Sequence, residues 1–413
     1  MLFELTVKMP DNTLDKWQYE TKNNHIVSKR FGNINPLDSN QKIKPDIEIK
    51  PFNKTDKIYK KLSDIKQLEI NLGLHCNFNC TFCPQKFSRD KIHSSSVKDV
   101  DPFIEKLKKA KENGLEPIHI KFWGGEPLVY WKVFSQLLPK VRELYPDALF
   151  TTTSNGSLLT KEIVDTLDKY KCHINISHDA YLGAVDRDKD IFQNPRLLEV
   201  MKYAAEKMGF GFKIMPVLTD TSPSITEKQK YINSVFGREV ILCPEVMRWN
   251  MVNIDRKDFN DETRKTITES ACEAIVANPE KLRHILPFHD FKHRLLTCSS
   301  ADSCRFYCLN QDIGLVCDLL GNTYNCKIRV QKTGTLENIN EIPSEGNVSW
   351  HYRKECKDCL VLQVCAGGCV RQSDIEHEKT CHNSYFPLYY GMFKAVFKTT
   401  YNVDVVDFKR IEK

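Results

Sequence analysis

Three cysteines within eight residues, Cys76, Cys80 and Cys83 in the stretch Gly73-Leu74-His75-Cys76-Asn77-Phe78-Asn79-Cys80-Thr81-Phe82-Cys83-Pro84, constrain this chain more than any other feature. They follow an alternating apolar run, Leu68-Glu69-Ile70-Asn71-Leu72, whose period predicts a buried strand. Three thiols on one loop can hold three irons of a 4Fe–4S cluster and leave the fourth iron without a protein ligand. That open iron is a place for a small molecule. A zinc site or three unlinked thiols uses the same residues, although zinc sites usually come as two C-x2-C pairs.

The compartment bears on this choice. The first residues, Met1-Leu2-Phe3-Glu4-Leu5-Thr6-Val7-Lys8, break too early with charge for a secretory segment. No run approaches the ~20 apolar residues of a membrane span. A cytoplasmic location is therefore expected, with no membrane partner. Sixteen cysteines in such a chain point to metal rather than disulfides, because cytosolic thiols stay reduced. Beyond the first three, Cys172, Cys243 and Cys272 are scattered, and the other ten lie between Cys298 and Cys381.

At 413 residues the chain exceeds one ordinary domain; a barrel of roughly 250 residues with an appended module fits the length. The net charge of +6 is too mild to suggest a nucleic-acid partner. Much of it sits between Gln41 and Lys66, where eight lysines (Lys42, Lys44, Lys50, Lys54, Lys57, Lys60, Lys61, Lys66) face four acids (Asp46, Glu48, Asp56, Asp64). Such a run is a solvated linker or a dock for an acidic peptide.

Four segments are expected: an N-terminal extension of unknown role over 1–66, a barrel over 67–290, a cysteine-rich module over 291–385 and a C-terminal helix and tail over 386–413. The extension shows a hairpin pattern, Leu2 to Val7 and Trp17 to Tyr19. The barrel region alternates strand-like runs at Leu68–Leu72, Ile118–Phe122, Leu149–Thr153, His173–Ser177, Phe212–Val217 and Val240–Val246 with helix-like ones at Val100–Glu112, Tyr130–Glu143, Lys161–Lys169, Pro195–Lys207, Thr226–Phe236 and Glu262–Ala277. Six βα repeats predict a parallel sheet with crossover helices, too few to close an eight-stranded barrel. Active groups then belong at the carboxyl ends of the strands. Tyr385–Tyr401 is aromatic at helical spacing and is expected to pack on the barrel.

The spacing of Cys76, Cys80 and Cys83, with Phe82 before the last thiol, resembles the cluster loop of the radical S-adenosylmethionine (SAM) superfamily, whose fold is a partial (β/α)6 barrel. Gly124-Gly125-Glu126-Pro127, after the second strand run, resembles that family's GGEP motif, whose backbone contacts the SAM amino group; the two glycines permit close approach and Glu126 is an acceptor for a cation. Thr153-Ser154-Asn155-Gly156 resembles its T-N-G, and Ser177-His178-Asp179 its S-L-D-G, so the resemblance assigns Asn155 and Ser177 to SAM. His178 and Ala180 stand where the family often has Leu and Gly. Many peptide-modifying members begin with a winged-helix leader-binding module, and that pattern is missing from residues 1–66.

The cysteine-rich half, Cys308-x12-Gly321-x4-Cys326 then Cys356-x2-Cys359-x5-Cys365-x3-Cys369-x11-Cys381, resembles the SPASM module, which carries two auxiliary 4Fe–4S clusters. The resemblance implies that one auxiliary cluster takes Cys308, Cys326 and Cys369 with Cys304, or in reserve Cys298, and that the other takes Cys356, Cys359, Cys365 and Cys381. Cys317 matches no family position and is expected as a buried apolar residue in the turn before Gly321. Two zinc sites are the alternative.

The resemblance implies SAM and three 4Fe–4S clusters, a flavodoxin- or ferredoxin-type electron donor, and reductive cleavage of SAM to a 5′-deoxyadenosyl radical. The expected outcome is hydrogen abstraction from a peptide, giving a crosslink, thioether or related oxidative modification. Formylglycine formation on a sulfatase and action on a small molecule are the alternatives within the family. Lys327, where the sulfatase-maturing branch carries Asp, argues against the first. A non-catalytic iron–sulfur or zinc protein that binds nucleic acid is the alternative of another class; it leaves Gly124 to Pro127 unexplained.

Overall fold

The computed structural model describes residues 1–21, 24–35, 57–58, 61–88, 91–278, 286–296, 313–324, 326, 330–338, 344–345, 353–365, 367–369 and 372–411. The first four strands, β1 Leu2–Lys8, β2 Leu14–Glu20, β3 His25–Ser28 and β4 Gly32–Asn33, are antiparallel neighbours. A two-residue strand, β5 Lys57–Ile58, follows. The barrel strands are β6 Gln67–Asn71, β7 His119–Trp123, β8 Leu149–Ser154, β9 Cys172–Ser177, β10 Phe212–Met215 with a short β11 Val217–Leu218, and β12 Ile241–Leu242 with a short β13 Glu245–Val246. The cysteine-rich half adds β14 Gly314–Asp318, β15 Asn322–Tyr324, β16 Lys332–Thr335 and β17 Ser344–Glu345, and β18 Asp404–Ile411 closes the described chain.

Strands β6, β7, β8, β9, β10 and β12 lie side by side in parallel. This is the parallel α/β sheet with crossover helices expected from the six repeats, in the open-barrel arrangement that the resemblance implied. The fifth and sixth runs each break in two, and β11 pairs with β13 in a separate ribbon. Four of the crossover helices start at a polar side chain that caps free backbone N–H groups. Thr160 accepts from Ile163, Asn194 from Arg196 and Leu197 ahead of Pro195, Ser224 from Glu227, and Asn260 from Thr263.

One partner of this sheet comes from outside the barrel segment. Strand β14 pairs in parallel with β6, placing Cys317 opposite Ile70, and β15 and β16 extend the sheet as antiparallel strands. Cys317 is buried as expected, but inside a strand rather than a turn. The turn before Gly321 instead closes on Asp318, whose carboxylate accepts from Leu320 N, Asn322 N and the Tyr324 hydroxyl.

The two ends of the chain also meet. Strand β18 pairs antiparallel with β1, giving a five-stranded sheet in the order β18, β1, β2, β3, β4. Its inner face, Phe3, Leu5, Val7, Trp17, Tyr19 and Ile26, packs on the helix Phe386–Tyr401, and the other side of that helix packs on Asp261–Ala277. The aromatic helix thus packs on the barrel's last crossover helix, as expected, and forms with the terminal sheet a second core separate from that of the parallel sheet. No described helix is long and apolar enough to cross a membrane.

Candidate active site at the carboxyl edge of the barrel

The loop bearing Cys76, Cys80 and Cys83 leaves the carboxyl end of β6, and Gly124 to Pro127 leave the same end of β7. The two loops lie backbone against backbone. Gly125 N donates to Gly73 O at 2.9 Å, and Glu126 N donates to His75 O at 2.9 Å. A Cβ on Gly124 would stand 2.3 Å from Gly73 O, and one on Gly125 would stand 2.3 Å from Leu74 O and 2.5 Å from His75 O. Only glycine fits there. Gly73, at φ +127°, leaves room for Tyr130, whose hydroxyl accepts from His75 N at 3.1 Å.

Glu126 is fully buried, and its carboxylate points inward rather than toward a ligand cation. It accepts from Leu128 N at 3.0 Å, the Ser154 hydroxyl at 2.7 Å and Asn155 N at 2.6 Å. Burial raises its pKa, opposed by these three donors. Its carboxylate thus ties the β7 loop to the β8 loop. Pro127, also buried, opens the short turn that Glu126 caps.

From the β8 loop, Asn155 reaches back to the thiol loop. Its Nδ2 donates to Asn77 Oδ1 at 2.9 Å and stands 3.9 Å from Cys76 Sγ. Ser157, unmarked in the sequence, donates its hydroxyl to Asn155 Oδ1 at 2.6 Å and accepts from Asn77 at 2.8 Å. The β9 loop supplies the far wall. Thr81 N donates to Asp186 O at 2.8 Å, and Thr81 Oγ1 donates to Asp186 Oδ1 at 2.7 Å. Arg256 holds Asp186 at 2.7 Å and also pairs with Asp220. Arg187 lies over the Phe82 ring at 5.3 Å, with its Nε 2.8 Å from Asp179 Oδ2, a distance fit for an ion pair but misaligned for a hydrogen bond. Asp186, Arg187 and Arg256 carried no sequence signal, because nothing local marks a charged loop residue as a partner of a remote loop.

The turn at Ser177, His178 and Asp179 explains its own departures. Ala180 takes φ +65°, a conformation glycine adopts more cheaply. His178 holds it there: Nδ1 accepts from Ala180 N at 3.0 Å, so Nε2 carries the proton and donates to Asp190 at 2.7 Å. The ring stacks on Phe192. Ser177 ends β9 half-buried, beside Met215 of β10.

The three thiols sense one another. Burial pushes Cys80 up to about 12, Arg187 opposes the rise, and Cys83 and Cys76 add to it. No group of three or more His, Cys, Asp or Glu side chains among the described residues would hold a single metal ion. A four-iron cube spaces its ligands more widely than one ion does, and soft sulfur donors suit it.

In the cysteine-rich half, Cys356, Cys359, Cys365 and Cys381 form a second thiol group. Burial raises all four, and Cys381, Cys356 and Cys359 each raise Cys365 further. Cys326 is buried and Cys369 half-buried; Arg353 donates to Cys369 O at 3.2 Å. His377, which the sequence did not mark, sits 3.9 Å from Cys356 Sγ. Cys298, Cys304, Cys308 and Lys327 lie outside the described residues, as does most of the lysine-rich segment from Lys42 to Lys66.

Residues 70–222 match the Radical SAM superfamily, and the chain carries a radical SAM domain. Members of that superfamily are enzymes, and the family implies SAM and a 4Fe–4S cluster. The donor set at the edge of β6 fits such a group. Among curated relatives, the radical SAM cyclopropyl synthase TigE of Paramaledivibacter caminithermalis is 28% identical over 134 residues, covering 28% of this chain and 27% of that one. The GTP 3′,8-cyclase of Helicobacter pylori is 25% identical over 150 residues, 36% of this chain and 45% of that one. The chain thus spans less than half the length of these relatives in the matched regions. Among solved structures, native anSMEcpe with bound AdoMet and Kp18Cys peptide superposes with a TM-score of 0.60 at 19% identity, over 81% of this chain and 98% of that one. At that identity the likeness concerns the fold.

Proposed function

We propose that this protein is a radical SAM enzyme of the SPASM type that oxidatively modifies a peptide. The observation that carries the reading is the joining of three strand-end loops around Cys76, Cys80 and Cys83: Gly125 and Glu126 bond the thiol loop, Glu126 bonds Asn155, and Asn155 returns to Asn77 beside Cys76. Cys76, Cys80 and Cys83 would hold the SAM-binding 4Fe–4S cluster. Bound there, the cluster supplies the electron that cleaves SAM reductively. Gly124 and Gly125 would keep backbone close to the SAM amino group, Phe82, Asn155 and Ser177 would line the cofactor, and Glu126 and Pro127 fix those loops in place.

Cys356, Cys359, Cys365 and Cys381 would hold one auxiliary cluster, and Cys326 and Cys369 with Cys304 and Cys308 the other. Their role is to accept the electron left on a substrate radical. The peptide substrate is supported by the fold likeness to anSMEcpe, which was solved with a bound peptide. The electron donor is a flavodoxin- or ferredoxin-type protein, and the cytoplasm is the compartment that keeps these thiols reduced.

The deciding experiment combines metal analysis with mass spectrometry. Anaerobic reconstitution should give about twelve irons per chain and negligible zinc. Cys80→Ala should abolish reductive SAM cleavage, whereas Cys359→Ala should retain some cleavage and lose product. Coexpression with short open reading frames of its locus should give a peptide about two daltons lighter, the mass of two hydrogens. Stoichiometric zinc with little iron would refute the enzyme reading. Product formed on a free amino acid or sugar, with no peptide modified, would refute the peptide alone.

A further inference from the structure

We infer that His377 raises the reduction potential of the cluster at Cys356, Cys359, Cys365 and Cys381 by donating its Nε2–H toward the Cys356 sulfur. This rests on the proposal above that these four thiols hold an auxiliary cluster.

The geometry comes from one helix. Asp374–Thr380 carries His377, and Cys381 follows four residues later, so both side chains lie on one helical face. His377 is 2% exposed. Its Nε2 is 3.0 Å from Gly367 O and 3.9 Å from Cys356 Sγ. A carbonyl oxygen only accepts, so Nε2 must carry the hydrogen, with the Gly367 carbonyl as its nearer acceptor and the Cys356 sulfur as its farther one. Tyr385 packs against the imidazole with ring centres 6.2 Å apart.

The backbone is shaped to keep this face in place. Immediately after Thr380 the helix widens into a π turn, Cys381–Tyr385, in which Phe386 N bonds to Cys381 O. Pro387 gives the reason: it has no N–H to donate to Asn383, and its ring would collide with that carbonyl in a regular α-helix. Asn383 locks the turn by accepting from Phe259 N at 2.6 Å and donating to Lys379 O at 2.7 Å. One continuous helix can thus hold His377 and Cys381 beside Cys356 while Phe386–Tyr401 buries its aromatic side elsewhere.

A 4Fe–4S cluster takes up one electron, passing from the 2+ to the 1+ state with all four thiolates retained. The added negative charge spreads over the sulfurs, so an N–H aimed at one of them favours the reduced state. Removing that donor lowers the midpoint potential.

The test uses the full chain, reconstituted anaerobically and titrated with sodium dithionite while the reduced clusters are followed by EPR. His377→Leu should shift the midpoint of one signal to lower potential and leave the others in place, and His377→Gln, which keeps an N–H donor, should restore much of the shift. A His377→Leu protein with full iron content and every midpoint unchanged overturns the inference. A second measurement needs no variant: histidine labelled with 15N in the wild-type protein should give a hyperfine coupling to one reduced cluster, and absence of that coupling overturns the inference too. Cys356→Ala with undiminished iron would overturn the cluster assignment itself, a result separate from either.

Discussion

Glu126 Oε2 accepts the backbone N–H of Asn155 at 2.6 Å, so a carboxylate from the second barrel loop sets the position of the third. The contact crosses between adjacent strand ends and is fully buried. Its other oxygen takes Leu128 N and the Ser154 hydroxyl. This side chain acts as a clamp between the β7 and β8 loops.

Replacing Glu126 with Ala strands three donors. Each buried unsatisfied donor costs about 1–3 kcal/mol, so we expect a loss of about 3–5 kcal/mol after partial relaxation. Glu126→Gln keeps an acceptor oxygen and should lose about 1–2 kcal/mol. Urea unfolding measures both, and calorimetric titration with SAM should show weaker binding in the same order.

Gly125→Ala would push a methyl group into two carbonyl oxygens of the thiol loop. Overpacking of this kind costs about 1–3 kcal/mol. The displacement falls on Leu74 and His75, next to Cys76, so iron analysis should show about four irons fewer, the content of one cluster. Retention of all the iron would show that the loops tolerate separation.

Asp186 has a buried carboxylate bound by Arg256 and by Thr81 of the thiol loop. Arg256→Ala leaves that charge largely unpaired, and we expect a loss of about 2–3 kcal/mol, below the range for wholly buried pairs because Arg256 is one-fifth exposed. Asp220→Asn, at the exposed end of the same arginine, should stay within about 0.5 kcal/mol. Denaturation midpoints of the two variants compare the inner and outer pairs.

His119, half-buried on β7 and bonded to Thr151, is held down to about 4 by burial first and by Lys121 next. Its usual value is near 6.5. The folded protein thus favours the neutral ring: the stabilisation is present in full above about pH 6.5 and is lost as the pH falls toward 4. Allowing for its partial exposure, we expect a loss of about 1–2 kcal/mol across that window. His119→Gln should flatten the profile of unfolding free energy against pH.

Much of the barrel was legible because its signals are local. Helices such as Val100–Glu112 and Lys161–Lys169 appear at their expected bounds, since the apolar period lies within each segment and, for the second, the capping Thr160 adjoins it. The placement of the motifs at strand ends followed from the same alternation. The three loop thiols could be singled out by their spacing, and the two glycines of Gly124 to Pro127 by their resemblance to a family motif one βα unit after those thiols.

What tertiary structure decided concerns pairs far apart in the chain. Strand β18 beside β1, and β14 beside β6, are choices among many possible edges, and a strand's sequence does not name its neighbour. The inward turn of Glu126 depended on a free hydroxyl and two free N–H groups arriving from β8 and its own turn. Asp186, Arg187 and Arg256 acquired their roles only when separate loops met around the thiols. Chemistry written in spacing was therefore determined by the sequence, whereas the supports that hold it depend on burial and charge pairing, which exist only once remote segments exclude water together.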